Sequence, residues 1–304
     1  MVWLGLILGI FACSTSVIFI KSTEVNPAYL GALRLFIGAI LLSPVFIREL
    51  RRHRDLDLRD MMKTSLPAGV FLALHFITWN EGARRTLAAH ATLIVNMVPL
   101  ALPMLLWITH RERVNRGEVA ATVLSMLGIA WLGVHDYRFS KDYWVGDLVC
   151  FASMVLFACY LALGRRNRGV RSIFLYVVPV YLIAGSVCLA VSLFDWESVR
   201  HTRPWDYGMA FCLALVPTVV GHTLLNFSMR HLRGQVVGIM NVGQFVFAGI
   251  LAYFLYQEAP EPTFFWVCVC VIASCALVIL SHRKDHLQFR GARPKPPPPP
   301  APEA

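Results

Sequence analysis

The sequence predicts an all-α integral membrane protein with ten transmembrane helices arranged as two inverted five-helix repeats. Three observations carry that expectation. Of the 304 residues, 57% are hydrophobic and only 15% are charged, against about 25% charged in a soluble chain. Apolar runs of about 18 residues, long enough to cross a bilayer core, recur along the chain. Short motifs near residues 3, 96 and 112 return near residues 144, 241 and 258.

The apolar spans are 3–20, 28–47, 66–80, 87–108, 118–134, 144–163, 172–194, 207–227, 234–256 and 263–281. They are read as helices because lipid offers the backbone no hydrogen-bond partner, and a barrel would show shorter alternating segments. The first span lacks a preceding basic stretch and outruns a signal-peptide core, so it is expected to be retained. The third is short, and residues 81–83 are candidates to extend it.

Basic residues set the orientation. With the N-terminus cytoplasmic, 20 Lys and Arg fall on the inner side and 7 on the outer, with Arg34 inside a span. Both termini are then cytoplasmic. The net charge of +10 sits in clusters between apolar runs, which favours a bilayer over nucleic acid as the partner. The eight cysteines lie in apolar runs without metal-ligand spacing, so they are expected to pack rather than bind. No metal or cofactor is expected.

The repeat follows from three matches in order. Trp3-Leu4-Gly5 pairs with Trp144-Val145-Gly146, Asn96-Met97-Val98 with Asn241-Val242-Gly243, and Glu112 with Glu258. Five helices per half is an odd number, so the halves must be oppositely oriented, an architecture common among secondary transporters. The expected units are residues 1–140, residues 141–284 and a disordered proline-rich tail over 285–304.

Polar side chains inside spans usually face a bundle interior or a wet cavity. His75 and Trp79 share a helix face, as do Thr218, His222 and Asn226. Thr92, Asn96 and Pro99 share one in the fourth span, and Gly238, Asn241, Gln244 and Phe245 one in the ninth. These four helices are expected to converge on a central cavity. There Asn and Gln would read polar groups, and Trp79 and Phe245 would supply aromatic walls. The competing role for the Asn and His side chains is interhelical glue. Pro99, Pro103 and Pro217 would free carbonyls and bend their helices. Arg34 has two readings: snorkelling or structural pairing, or an anion contact at an outer vestibule. Glu112 and Glu258 are expected to form an interfacial salt bridge or gate. Gly5/Gly9 and Gly234/Gly238 have the spacing of close helix contacts, within one chain or in a dimer.

Up to about Lys284, the chain resembles an EamA-type member of the drug/metabolite transporter superfamily. The resemblance rests on the two five-helix halves, Ala32-Leu33-Arg34-Leu35 in the second span, Asn96-Met97-Val98-Pro99 in the fourth, and the Glu of Arg111-Glu112-Arg113 and of Gln257-Glu258. Gln244 departs from it, standing where the repeat places a proline, which puts a kink there in question. The resemblance implies a cavity between the halves and export or exchange of small metabolites such as amino acids. The expected location is a bacterial inner membrane, with the protein a monomer or weak homo-oligomer. No P-loop, GxGxxG or HExxH motif is present, so ATP-driven transport and familiar metalloenzyme chemistry are not expected. A lipid-modifying enzyme would need a catalytic cluster at one interface; His135 with Asp136, Asp142, Asp147 and Asp195 lacks recognisable spacing. A helper or receptor subunit would need a partner-binding domain.

Overall fold

A computed structural model describes residues 1–53, 56–136, 143–166, 171–257, 260 and 262–291. Among these residues nine helical stretches are long and apolar enough to span a bilayer. They are α1 Val2–Lys21, α2 Pro27–Arg52, α3 Leu58–Arg85, α4 His90–His110, α6 Trp144–Arg165, α7 Phe174–Arg200, α8 Pro204–His231, α9 Gly234–Leu255 and α10 Pro262–His282. A further helix, α5, covers Arg116–Asp136 and at 21 residues is also long enough. The chain is therefore an all-α, multi-pass membrane protein. Glu258 and the tail from residue 292 lie outside the described residues.

Local chemistry explains where the helices start and bend. Asn26 caps α2 by accepting from the backbone N–H of Ala28 at 2.9 Å and Tyr29 at 3.1 Å, with Pro27 at the first position. Asp57 caps α3 from the N–H of Arg59 at 2.8 Å. This cap places the start of α3 eight residues before the expected 66. The added turns carry Arg59, Asp60 and Lys63, which belong at a water interface and so escape an apolar-run reading.

α1 breaks at Thr15, where the Ser14 and Thr15 hydroxyls donate to the carbonyls of Phe11 at 2.6 Å and Ala12 at 2.7 Å. In α8 a π-helical segment spans Ala214–His222. Pro217 lacks an N–H, so the Leu213 carbonyl loses its helical partner and accepts from the Thr218 hydroxyl at 2.8 Å. Pro103 likewise frees the Pro99 carbonyl, which accepts from the Gln235 amide at 3.2 Å.

α4 and α9 are both interrupted midway, between Val95 and Val98 and between Asn241 and Gln244. α9 thus breaks without the missing proline; Gly243 occupies the break. α4 ends on Arg111 with φ 54° and α9 on Gln257 with φ 56°, left-handed caps on corresponding residues.

The helices pack as α2 with α7, α3 with α6, α5 with α10, α1 with α8, and α4 with α9, and α3 also packs on α7 and α4 on α6. Small residues set the tightest crossings. A Cβ on Gly82 would stand 2.7 Å from the Cys150 sulfur, and one on Gly221 would stand 2.5 Å from the Cys13 sulfur. Gly5 and Gly9 face Leu224, while Gly234 and Gly238 face Leu106 and Leu102. Within this chain, therefore, the small-residue spacings serve packing.

Candidate functional site

A small cavity of about 30 Å³ lies inside the bundle, lined by Cys13, Ser16, His75, Phe76, Trp79, Val95, Asn96, Phe157, His222 and Gln244. α1, α3, α4, α6, α8 and α9 all contribute. Its polar wall is built at the interruptions in α1, α4, α8 and α9, where backbone irregularity turns side chains inward.

Five of the expected residues line this cavity: His75, Trp79, Asn96, His222 and Gln244. His75 Nδ1 lies 3.1 Å from the Ser153 carbonyl and 2.8 Å from the Ser153 hydroxyl. That hydroxyl donates to the His75 carbonyl at 3.1 Å, so it accepts from Nδ1–H, which leaves Nε2 as the ring's acceptor. The His75 ring stacks on Phe157 at 4.6 Å and lies 6.5 Å from His222. Trp79 Nε1 donates to Ser16 Oγ at 3.2 Å. Gln244 donates to Asn241 Oδ1 at 2.5 Å, Asn241 to Asn96 Oδ1 at 2.7 Å, and Asn96 to the Thr92 carbonyl at 2.8 Å. This relay stitches the break in α4 to the break in α9.

The other expected residues stand behind the wall. Thr92 spends its hydroxyl on the Ala88 carbonyl at 2.8 Å, and Asn241 serves the relay. Asn226 bonds the His222 carbonyl at 2.7 Å and the Tyr160 hydroxyl. Thr218 is turned by the π segment towards Arg34. Phe245 is one residue past Gln244, hence about 100° around the helix, and packs on Phe264 at 5.0 Å in a separate apolar cluster. Phe245 therefore does not form an aromatic wall of this cavity.

Arg34 does not snorkel. It is fully buried, donating from Nε to Thr218 Oγ1 at 3.0 Å and from Nη1 to Ser16 Oγ at 3.5 Å, with the guanidinium 4.0 Å over the Phe76 ring.

Ion pairs and hydrogen bonds cross both ends of the bundle. At one end Glu112 pairs with Arg165 at 3.1 Å and accepts from the Gly234 N–H at 3.1 Å, at the start of α9. Arg165 also donates to the Met229 and Leu232 carbonyls at 2.6 and 2.5 Å. Beside it, Arg233 binds Glu118 at 2.5 Å and the Arg113 carbonyl at 2.5 Å. Glu118 and Asn115 form a reciprocal cap at the start of α5, at 2.9 and 2.7 Å. This latch joins the α4–α5 turn to α6 and the α8–α9 turn. At the other end Arg203 reaches Glu24 at 3.2 Å, Trp205 donates to the Ser22 carbonyl at 2.9 Å, and Arg84 donates to the Val25 carbonyl at 2.5 Å. These contacts hold the α1–α2 turn over the bundle.

Sequence reasoning missed Ser16, Cys13, Phe76 and Phe157 in the cavity, and Glu118, Arg165 and Arg233 in the latch. The run Cys13-Ser14-Thr15-Ser16 inside an apolar helix was a readable signal for the first pair. Asn115-x-x-Glu118 was readable as a helix cap. Nothing local separates Arg165 from its basic neighbours.

The EamA-like transporter family model matches residues 1–134 and again 144–280. The chain belongs to the EamA-like transporter family. As a member it is a secondary transporter of small molecules and not an enzyme. Among the described residues no group of His, Cys, Asp and Glu side chains could hold a metal ion. An uncharacterized transporter of Archaeoglobus fulgidus is 23% identical over 255 residues, covering 84% of this chain and 87% of that protein. A crystal structure of a protein 18% identical superposes with a TM-score of 0.73 over 93% of this chain and 98% of the other, a likeness of fold. This EamA-like chain thus has a transporter's fold around a small cavity of mixed polar and apolar lining.

Proposed function

We propose that the protein exports or exchanges small polar or amphipathic metabolites, amino acids or their relatives, by alternating access of two inverted five-helix halves. The observation that carries this reading is the cavity, lined from α1, α3 and α4 on one side and α6, α8 and α9 on the other. Exchanging each helix with the one five places later maps α1–α8 onto α3–α6 and returns α2–α7, α4–α9 and α5–α10 onto themselves. That pairing supports two related halves facing each other across the site. It brings Asn96 against Asn241, a pair the repeat aligns, and His75 beside His222, whose spacing of 147 residues is close to the repeat offset.

At about 30 Å³ the cavity has room for about two waters. A metabolite therefore requires the halves to part, at the latch end or at the Glu24–Arg203 end. By the distribution of basic residues, the latch and both termini face the cytoplasm.

The test is flux. Purified protein in sealed vesicles is given a panel of labelled metabolites; saturable uptake, faster when the same compound is loaded inside, is expected for a subset. Uptake no faster than in protein-free vesicles for every compound would sink the proposal. So would full flux at normal expression in His75→Ala, Asn96→Ala, His222→Ala and Gln244→Ala.

A further inference from the structure

Arg34 is a fully buried cation, with no carboxylate paired to it among the described residues. Its contacts at Thr218, Ser16 and Phe76 are all neutral. Its third nitrogen, Nη2, is buried with no acceptor among the described residues. None of the residues lining the adjoining cavity carries a carboxylate. A guanidinium stays charged in proteins, and an uncompensated charge at this depth is costly.

Arg34 stands behind the cavity wall, in contact with its lining residues Ser16 and Phe76, and acceptors are scarce there. Ser16 Oγ, on the cavity wall, takes both Arg34 Nη1, at a long 3.5 Å, and Trp79 Nε1 at 3.2 Å. Thr218 Oγ1 takes Arg34 Nε while giving its own proton to the Leu213 carbonyl. One serine thus serves two donors while both N–H groups of Nη2 have nothing. An incoming ligand that supplies acceptor oxygens and one negative charge would correct both deficits, and a planar carboxylate matches the guanidinium fork.

We propose that Arg34 is the anion anchor of the cavity, so that the carried metabolite presents a carboxylate to Nη2 and the Ser16–Trp79 edge. The inference rests on the transport reading above but names its substrate class and a specificity-determining residue. Neutral metabolites would leave the charge uncompensated, and cations would be repelled. The Phe76 face under the guanidinium holds the fork in place, so the anchor is present before the ligand arrives.

The test compares acids with their uncharged amides on full-length protein in detergent. Benzoate is set against benzamide, lactate against lactamide, and N-acetyl-leucine against its amide, with melting temperature as the readout. At least one acid is expected to raise the melting temperature while its amide does not. Arg34→Met should abolish the shift, and Arg34→Lys should weaken the apparent affinity at least tenfold, because an ammonium lacks the fork. The proposal is overturned if an amide matches its acid, if no acid shifts the protein, or if the shift survives in Arg34→Met. It is overturned equally if chloride alone matches the acids, which assigns an inorganic anion. The acid–amide comparison needs no variant, so a misfolded Arg34→Met leaves the test intact. Flux separates this proposal from the transport reading. Movement of neutral or cationic compounds without any carboxylate removes the anchor and keeps transport. An Arg34-dependent acid shift without any flux does the reverse.

Discussion

Replacing Arg165 with Met should open one end of the bundle and leave the other closed. Met keeps much of the apolar stem while removing the charge and every donor. Glu112 then loses its partner at 3.1 Å, and the Met229 and Leu232 carbonyls lose donors at 2.6 and 2.5 Å. The pair is mostly buried, with side-chain exposures of 7% and 17%. Breaking a buried pair from one side costs about 3–5 kcal/mol. Glu112 keeps its bond to Gly234 N–H and some solvent, so the low end of about 3 kcal/mol applies. At about 1.4 kcal/mol per decade, the latch should open about 100-fold more often. Hydrogen exchange with mass spectrometry reads this directly. Peptides covering residues 112–118 and 229–236 should exchange about 100-fold faster. Peptides covering residues 22–26 and 200–206, at the far end, should exchange no faster. Unchanged exchange at the latch, or equal loosening at both ends, would refute the reasoning: the first makes the ion pair inert, the second makes it a general staple.

Two glycines on α8 should respond to alanine with opposite signs. Nothing lies within 4 Å of a Cβ built on Gly208, so Gly208→Ala should raise thermal stability by up to about 1 kcal/mol. At Gly221 the new Cβ would meet the Cys13 sulfur at 2.5 Å and its backbone nitrogen at 3.1 Å, so Gly221→Ala should cost about 1–3 kcal/mol. Unfolding followed by tryptophan fluorescence checks both, and equal shifts would contradict the close α1–α8 crossing. Asn96→Ala and Asn241→Ala should be non-additive in the same assay, coupled by about 0.6–1.7 kcal/mol, since they share one hydrogen bond inside the membrane. Additive losses would place the two amides apart. Ser153→Ala should loosen the His75 ring by removing one of the two acceptors at Nδ1 while leaving the Ser153 carbonyl, so that substrate affinity falls, but less than in His75→Ala, while thermal stability changes less than for Gly221→Ala.

The helix inventory was legible because an apolar run longer than a bilayer has few other fates. The breaks in α4 and α9 were half legible. Pro99 announced the first, but the second needed only Gly243 and a polar Asn–Gln pair, which sequence alone does not mark as a break. His75, Trp79, Asn96, His222 and Gln244 were placed together by helical spacing within spans and by the repeat between them. Spacing failed where the helix is not α-helical: the π segment turns Thr218 onto Arg34 and away from the cavity. It failed again at Phe245, which is one residue past Gln244 and so points about 100° away from it. Arg34 looked able to reach the interface by depth alone, and only the packed structure shows Thr218, Ser16 and Phe76 holding it inward. The latch was illegible for a different reason. Glu112 was expected in a salt bridge, but its partner Arg165, and Glu118 with Arg233, sit among other charges across three separate segments, and only the three-dimensional arrangement selects which of them meet.

The central claim, one cavity reached from each side of the membrane in turn, is tested most directly at Cys13, a natural thiol on the cavity wall. With Cys13 as the sole cysteine, a small impermeant methanethiosulfonate is applied to one face or the other of sealed vesicles. The account expects modification from each face, with reaction from the latch face accelerated by Arg165→Met and reaction from the opposite face slowed. Modification confined to a single face in both proteins, or absent from both, would contradict it.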